Sequence, residues 1–577
     1  MTLPEARIDV VTDTYFGTTV EDPYRWMEDW TSAEAQAWTL AHAEHARQTL
    51  EALPERAALL ERVAELSGAA AILTDLRVAA GRCFYLRQDA GDNLLKLCVR
   101  LSDDAPERVL FDPASLGGAV HTSIDWFAPS GDGRRVAYGI SEGGSENSTL
   151  HILDVDSGRQ LPDTISRVHF GFVSWLDADS FVYHRYLEPA AGSSPAEARD
   201  NSRSYLHRLG DDPADDRLVL GRGLNGRVDL RPIDRPFVIV PAHSRWMIAV
   251  ISHSALAKDV WSDCTFYVAP RAGLDDPAGC PWTLVAAVED GVINFAIDGD
   301  TLYLVSHRDA PSHRVLAVAL AEGARREVFV PESAAVIEDI CLAGGYLLTR
   351  ELLGGLARIR RFPLAGGAAD ELPLPFGGSI LDWASQPGRP EVYLHMMSWT
   401  VSSHLYRCDA AAATVADTGW LAPSPADFSA ISVTETHAPA ADGAMIPLSI
   451  IHRAGLERNG DNPTLLLTYG SYGLALRPAF LPEFLAWYER GGVLAVAHVR
   501  GGGEYGRAWH EAGRLLNKEN TIGDFIACAE YLIAENYARP ARLTGIGGSA
   551  GGIPTGGALV RRPELWAAMV MQVPLTN

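Results

Sequence analysis

The spacing of hydrophobic and polar positions divides the chain into three textures. Residues 1–70 open with an extended piece and turn helical. Thr31-Ser32-Ala33-Glu34 has the form of a capping box. Trp38, Leu40, His42 and a run of alanines follow it, and Leu59, Leu60, Val63 and Leu66 recur at helical spacing. This predicts an N-terminal helical segment.

Residues 71–425 carry almost no helical periodicity. Short apolar runs alternate with Gly, Asp, Ser and Pro, which reads as strand and turn. In DWFAPSGDGRRVAYGIS (125–141) a turn through Ser130-Gly131-Asp132-Gly133 separates two strands, and STLHILDVDSGRQL (148–161) adds a third and a turn at Asp156-Ser157-Gly158. Comparable strand starts fall near Leu76, Ile124, Val173, Phe237, Ile293, Ile337 and Ile380, at spacings of 48, 49, 64, 56, 44 and 43. Seven starts at such periods predict a seven-bladed β-propeller, although the period is irregular and no WD signature repeats. A pair of β-sandwiches is the alternative.

From 426 to 577 strand-like runs alternate with helical ones. The strands are ISVTETHA, MIPLSIIH, TLLLTYG, VLAVAHV, RLTGIG and AAMVMQV. The helices are FLPEFLAWYERG, TIGDFIACAEYLIAENY and GGALVRRPELW. Such alternation predicts a parallel sheet with flanking helices. TLLLTYG is nearly all apolar, as expected of a strand covered on both faces.

Composition narrows the function classes. Apolar residues make up 47% and charged residues 21%, as in ordinary globular proteins. No apolar run reaches the roughly 18 residues of a spanning helix, so no membrane association is expected. The start lacks a basic stretch followed by an apolar one, so no secretory signal is expected. Asp and Glu number 73 against 49 Lys and Arg, giving −24, a field that repels phosphate backbones and argues against nucleic acid. Seven scattered cysteines without a CxxC pair fit reduced thiols and a cytoplasmic location. No Cys/His cluster has zinc spacing, so no metal is expected.

Gly547-Gly548-Ser549-Ala550-Gly551 matches G-x-S-x-G between a predicted strand and a predicted helix. A nucleophile elbow has that context: the serine stands on a sharp turn above the sheet, and the N–H of the next residue, Ala550, points to where an oxyanion forms. Gly501-Gly502-Gly503-Glu504-Tyr505-Gly506 satisfies GxGxxG after VLAVAHV, but a dinucleotide fingerprint opens the first βα unit of its domain and this loop follows about the fourth strand. Asp524 and Glu519 lie at the distance of the fingerprint's acidic residue, but in a helical pattern. No cofactor is expected.

These motifs carry a resemblance. TDTYFGTTVEDPYRWMED (12–29), TYGSYG (468–473), GGVLAVAHVRGGGEYGRAWHEAG (491–513), NKENTIGDFIACAEYLI (517–533) and GGSAGG (547–552) are similar to motifs of the prolyl oligopeptidase family of serine peptidases, in the family's order. The resemblance implies a seven-bladed propeller with an α/β-hydrolase domain: propeller 71–425, peptidase domain 426–577, and an N-terminal segment 1–70 associated with the hydrolase side. It implies cleavage of short peptides, usually after proline, with the propeller excluding folded proteins. Ser549 falls on the family's nucleophile. Tyr469 falls on the tyrosine whose hydroxyl completes the oxyanion hole with the Ala550 N–H. Tyr472 falls where proline-cleaving members place a pocket phenylalanine. The GSAGG form and the YGSYG loop also look close to oligopeptidase B, which cuts after Arg or Lys. A monomer is expected.

A serine nucleophile needs a base and the base an orienting carboxylate, in the chain order Ser, Asp or Glu, His. The 28 residues after Ser549 contain no His and no Asp, and the single acid is Glu564. All 17 histidines lie upstream, His452, His498 and His510 among them. The reading is therefore an incomplete hydrolase domain without its last strands, its triad Asp and His absent, from a C-terminally truncated sequence that is inactive as it stands. A non-catalytic propeller scaffold with a vestigial hydrolase remnant is the alternative from another class.

Overall fold

The structure is a computed structural model and describes residues 4–117, 120–169, 171–188, 194, 197–253 and 263–576. The chain divides into two compact units, Met1–Ser67 and Gly68–Asn577.

The first unit is a hairpin, Val11–Tyr15 with Thr18–Asp22, followed by helices Ala33–Glu51 and Arg56–Ser67. The capping box is displaced. Ser32, not Thr31, is the N-cap, and its Oγ accepts from the Ala35 N–H at 3.0 Å. With Ser32 as N-cap, Glu34 falls one position short of the reciprocal site and instead accepts from Arg7 Nε at 3.0 Å.

In the second unit, seven four-stranded antiparallel sheets follow one another, each built from four consecutive strands. Leu76, Ile124, Val173, Phe237, Ile293, Ile337 and Ile380 each fall in the first strand of a different sheet, from Ile72–Ala79 to Ser379–Ser385. The core lies between sheets. Each neighbouring pair shares an apolar cluster, such as Phe237, Ile248 and Val250 with Val292, Leu302 and Leu304. The first and last sheets share one too, with Leu76 and Tyr85 against Ala384, Tyr393 and Leu405. That contact closes the seven sheets into a ring, the propeller expected, and excludes paired sandwiches. Among the described residues no strand is exchanged across the closure. Polar bonds reinforce it: the Leu76 N–H donates to Asp382 at 2.6 Å and Arg407 pairs with Asp103 at 2.9 Å. The uneven period comes from the connections inside the third and fourth sheets, between Arg185 and Arg203 and between Ser252 and Cys264.

The remaining sheet has six strands in the spatial order Ile431–Pro439, Met445–Arg453, Val493–Ala497, Thr464–Thr468, Leu543–Gly548, Ala568–Gln572. All six were legible, but the sheet is mixed rather than parallel. The first three strands in that order pair antiparallel and the rest parallel. Only five residues join Ile431–Pro439 to Met445–Arg453, too few for the crossover that a parallel pair needs. The fully buried strand is Val493–Ala497, whereas Thr464–Thr468 alternates buried and half-buried residues. Helix Lys518–Ala534 lays Phe525, Cys528, Ala529 and Leu532 on the sheet with Ile446, Leu448, Leu466 and Ala495, and Phe525 stacks on Trp566 with centroids 5.2 Å apart. FLPEFLAWYERG makes only a 3₁₀ turn and one helical turn, Leu485–Tyr488. The chain must turn back there, with Gly492 under the Trp487 ring and the Trp487 Nε1–H donating to Val493 O at 3.1 Å.

Direct bonds join the propeller to this α/β domain. Ser379 Oγ donates to Pro478 O at 2.8 Å, Arg477 pairs with Glu338 at 2.5 Å, and the Arg507 N–H donates to Pro311 O at 2.8 Å.

Candidate active site

Ser549 sits where strand Leu543–Gly548 turns into helix Gly552–Arg561, across a 3₁₀ turn at Ser549–Gly551. Its φ is +50°, a left-handed conformation that costs a residue with a Cβ about 1–3 kcal/mol. The crossing explains how the turn is kept. A Cβ on Gly547 would lie 2.3 Å from Gly551 O, and one on Gly551 would lie 2.9 Å from Thr468 O. Only glycines let strand, turn and neighbouring strand close to that distance. The serine is left exposed, and Ala550 is buried with its N–H in the first turn, among the donors a helix cannot satisfy internally.

Tyr469 follows the adjacent parallel strand Thr464–Thr468, paired residue by residue with the strand leading to Ser549. Its ring lies beside the elbow: a Cβ on Gly551 would lie 3.6 Å from Tyr469 Cδ2. Burial raises the Tyr469 phenol above the ordinary tyrosine range, as does Tyr472, while a hydrogen-bonding interaction with Ser549 lowers it. The net rise keeps the phenol protonated and able to donate. Tyr472 is 52% exposed, in a left-handed conformation at φ +59°, its ring 6.4 Å from that of Tyr469.

The remaining sequence candidates are engaged elsewhere. His498 Nε2 lies 2.9 Å from Ser449 Oγ, which donates to Glu435; His510 Nδ1 lies 2.9 Å from Gly501 O; His452 Nδ1 lies 2.9 Å from Arg453 O. Among the described residues no histidine hydrogen-bonds the Ser549 hydroxyl. Glu564 is exposed and paired with Arg562 at 2.6 Å.

The glycine loop serves backbone packing. A Cβ on Gly501 would lie 2.2 Å from Gly470 O, and one on Gly503 2.1 Å from Gly473 O. The loop thus lies flat against Tyr469–Gly473. Asp524 is buried below it in helix Lys518–Ala534, not at a strand end. It accepts from the Arg500 N–H at 2.9 Å and from the guanidinium at 2.5 Å. Burial pushes the Asp524 carboxyl up against the pull of Arg500, and Arg500, hydrogen-bonded to Asp524, stays charged. Glu504, also buried, accepts from the Leu476 N–H at 3.0 Å and so fixes the far end of the Tyr472 segment. Sequence reasoning missed Lys518 and Glu504. The signal available was their place inside two long motifs, each otherwise filled by residues with a packing role.

A seven-bladed propeller joined to an α/β sheet with a serine elbow defines a serine hydrolase of two-domain architecture. Residues 4–416 match the prolyl oligopeptidase N-terminal beta-propeller domain, and residues 478–577 match the prolyl oligopeptidase family. The chain belongs to the prolyl oligopeptidase family of serine peptidases. It is 28% identical to the prolyl endopeptidase of Elizabethkingia miricola over 572 residues, covering 97% of this chain and 77% of that protein. It is 28% identical to dipeptidyl aminopeptidase BI of Pseudoxanthomonas mexicana, over 82% of this chain and 63% of that protein. A solved prolyl endopeptidase superposes with a TM-score of 0.88 at 30% identity, covering all of this chain and 83% of that one.

Proposed function

We propose that this protein is a serine endopeptidase that hydrolyses short peptides after proline through an acyl-enzyme on Ser549. The observation that carries the proposal is the left-handed elbow at Ser549 with Tyr469 beside it at the end of the adjacent parallel strand. Ser549 attacks the peptide carbonyl while a histidine base, oriented by a carboxylate, takes its proton. The Ala550 N–H and the Tyr469 O–H hold the oxyanion. The acyl group then passes to water. Tyr472, exposed beside Tyr469, is the aromatic wall against which a proline ring would lie. The match to prolyl endopeptidases across nearly the whole chain supports proline specificity.

No described histidine hydrogen-bonds Ser549, so the base is not among the contacts of the elbow. The 577-residue chain by itself should therefore turn over peptides negligibly. A fluorophosphonate probe and proline- and arginine-containing dipeptide substrates test this, and stoichiometric labelling of Ser549 or robust turnover would refute it. In a form of the enzyme that supplies the base, Tyr469→Phe should lower kcat about 100-fold or more, the worth of one oxyanion donor. A near-wild-type rate would remove that role. Faster cleavage after Arg than after Pro would replace the substrate class by that of oligopeptidase B.

No described helix is long and apolar enough to cross a membrane. All seven cysteines are free and most are buried, which supports a reducing, cytoplasmic setting.

A further inference from the structure

Lys518 opens helix Lys518–Ala534, in the turn where the helix dipole opposes a cation. Its N-cap, Asn517, makes no side-chain capping bond. The ammonium is half-buried, and burial alone pulls it down to about 8 from the ordinary lysine range. A cation in such a place is unfavourable for the helix, so its contacts must account for it. Both are on one loop. Nζ donates to Gly470 O at 2.5 Å and to Ser471 Oγ at 2.8 Å. Nearby charges are engaged with one another: Glu511 with Arg507 and Arg514, Glu519 with Arg561, Asp524 with Arg500.

One turn on, Thr521 touches the same loop. A Cβ on Gly470, which has φ +64°, would lie 2.5 Å from both Thr521 Cγ2 and Val499 Cγ2. Thr521 Oγ1 also donates to Arg500 O at 2.7 Å, tying the helix to the strand end. Positions 518 and 521 lie on one helix face. The first turn of this helix is therefore a template for the backbone between Tyr469 and Tyr472.

We propose that Lys518 is a positioning residue for oxyanion stabilisation: its two bonds hold the Tyr469–Tyr472 loop so that the Tyr469 hydroxyl stays aimed at the reacting carbonyl oxygen. This rests on the oxyanion role of Tyr469 proposed above. Lys518 touches neither substrate nor Ser549; it acts through the neighbouring residue.

Two measurements test it. In the 577-residue chain, Lys518→Met should speed amide exchange at Gly473 and Leu474 by about tenfold or more while exchange in strand Leu543–Gly548 is unchanged. These amides donate to Gly501 O and Ser471 O at 3.1 Å, so they report on the loop itself. Unchanged exchange would overturn the hold. In a form of the enzyme that supplies the base, Lys518→Met should lower kcat by about 10- to 100-fold, the cost of a misaligned group. KM should stay within about twofold. In a Tyr469→Phe background the same change should cost less than about threefold, because the group it positions is already gone. Equal losses in both backgrounds would mean that Lys518 acts on general structure and would overturn the proposal. A Tyr469→Phe enzyme of normal rate would instead remove the oxyanion role itself, and the exchange result would still judge the loop contact separately.

Discussion

Glycine has different work in the two halves of the large unit. In the propeller, turn glycines such as Gly158, Gly210 and Gly299 have positive φ and open space around the missing Cβ. In the α/β domain, Gly501, Gly503, Gly513, Gly547 and Gly551 would each drive a Cβ to within 3 Å of another backbone atom. The first group lets the chain reverse. The second lets separate segments touch. A propeller sheet is a local product, four consecutive strands joined by turns. The candidate site is assembled from segments 469–473, 500–513 and 547–552, which meet through close glycine backbone contacts, with side chains of 518–524 bracing them. Loss of one contact should therefore be confined in the propeller and shared in the site.

The largest expected effect is at the charge beneath the site. Asp524→Ala leaves the Arg500 guanidinium buried with only Asp442 to pair with, at 2.5 Å. Breaking a buried pair from one side costs about 3–5 kcal/mol, and equilibrium denaturation should show it. A loss below about 1 kcal/mol would mean that Asp442 suffices and that the site segments are less interdependent than their packing implies.

Next come the two kinds of glycine compared directly. Gly503→Ala should cost about 1–3 kcal/mol through overpacking against Gly473 O. In a form of the enzyme that supplies the base it should also lower kcat, because the Tyr472 segment must move. Gly210→Ala, at φ +90° with nothing within 4 Å, should cost about 1 kcal/mol through backbone strain alone and leave kcat unchanged. Equal stability losses with equal activity would erase the distinction.

The same contrast explains what the sequence disclosed. The seven propeller starts were legible because each sheet is written locally, as alternating residues bounded by turns. The elbow was legible because G-x-S-x-G states a local backbone need. Three features were not. The antiparallel half of the α/β sheet depends on how strands are ordered in space, which hydrophobic alternation does not encode. The packing role of the glycine loop was hidden, since close approach to a pyrophosphate and close approach to Gly470 and Gly473 demand the same residue, and its place after about the fourth strand only set the first reading aside. Lys518 was not singled out, because its partners Gly470 and Ser471 lie 48 and 47 residues away.

The smallest expected effect lies in the propeller and tests whether its sheets carry a polar joint of their own. His207 is fully buried between Asp216, 2.8 Å from Nδ1, and Asp163, 3.1 Å from Nε2. Asp163 lies on the second sheet, and His207 on the third. Tyr183 also donates to Asp216 at 2.7 Å, which holds that carboxylate in place. Burial alone would lower the imidazole, but hydrogen bonds and charge from Asp216 and Asp163 outweigh it and raise the group above 6.5. The native state thus binds this proton more tightly than the unfolded chain does, so the contribution is fully present below about pH 6.5 and is lost as pH rises through the raised value. Urea unfolding from roughly pH 6 to pH 9 should show stability falling in wild type, with a shallower fall in His207→Gln, which keeps a donor but cannot titrate. Identical slopes would mean that the proton is not held there. The two propeller sheets would then be joined by their apolar cluster and by uncharged bonds such as Trp175 Nε1–H to Ala128 O at 3.0 Å.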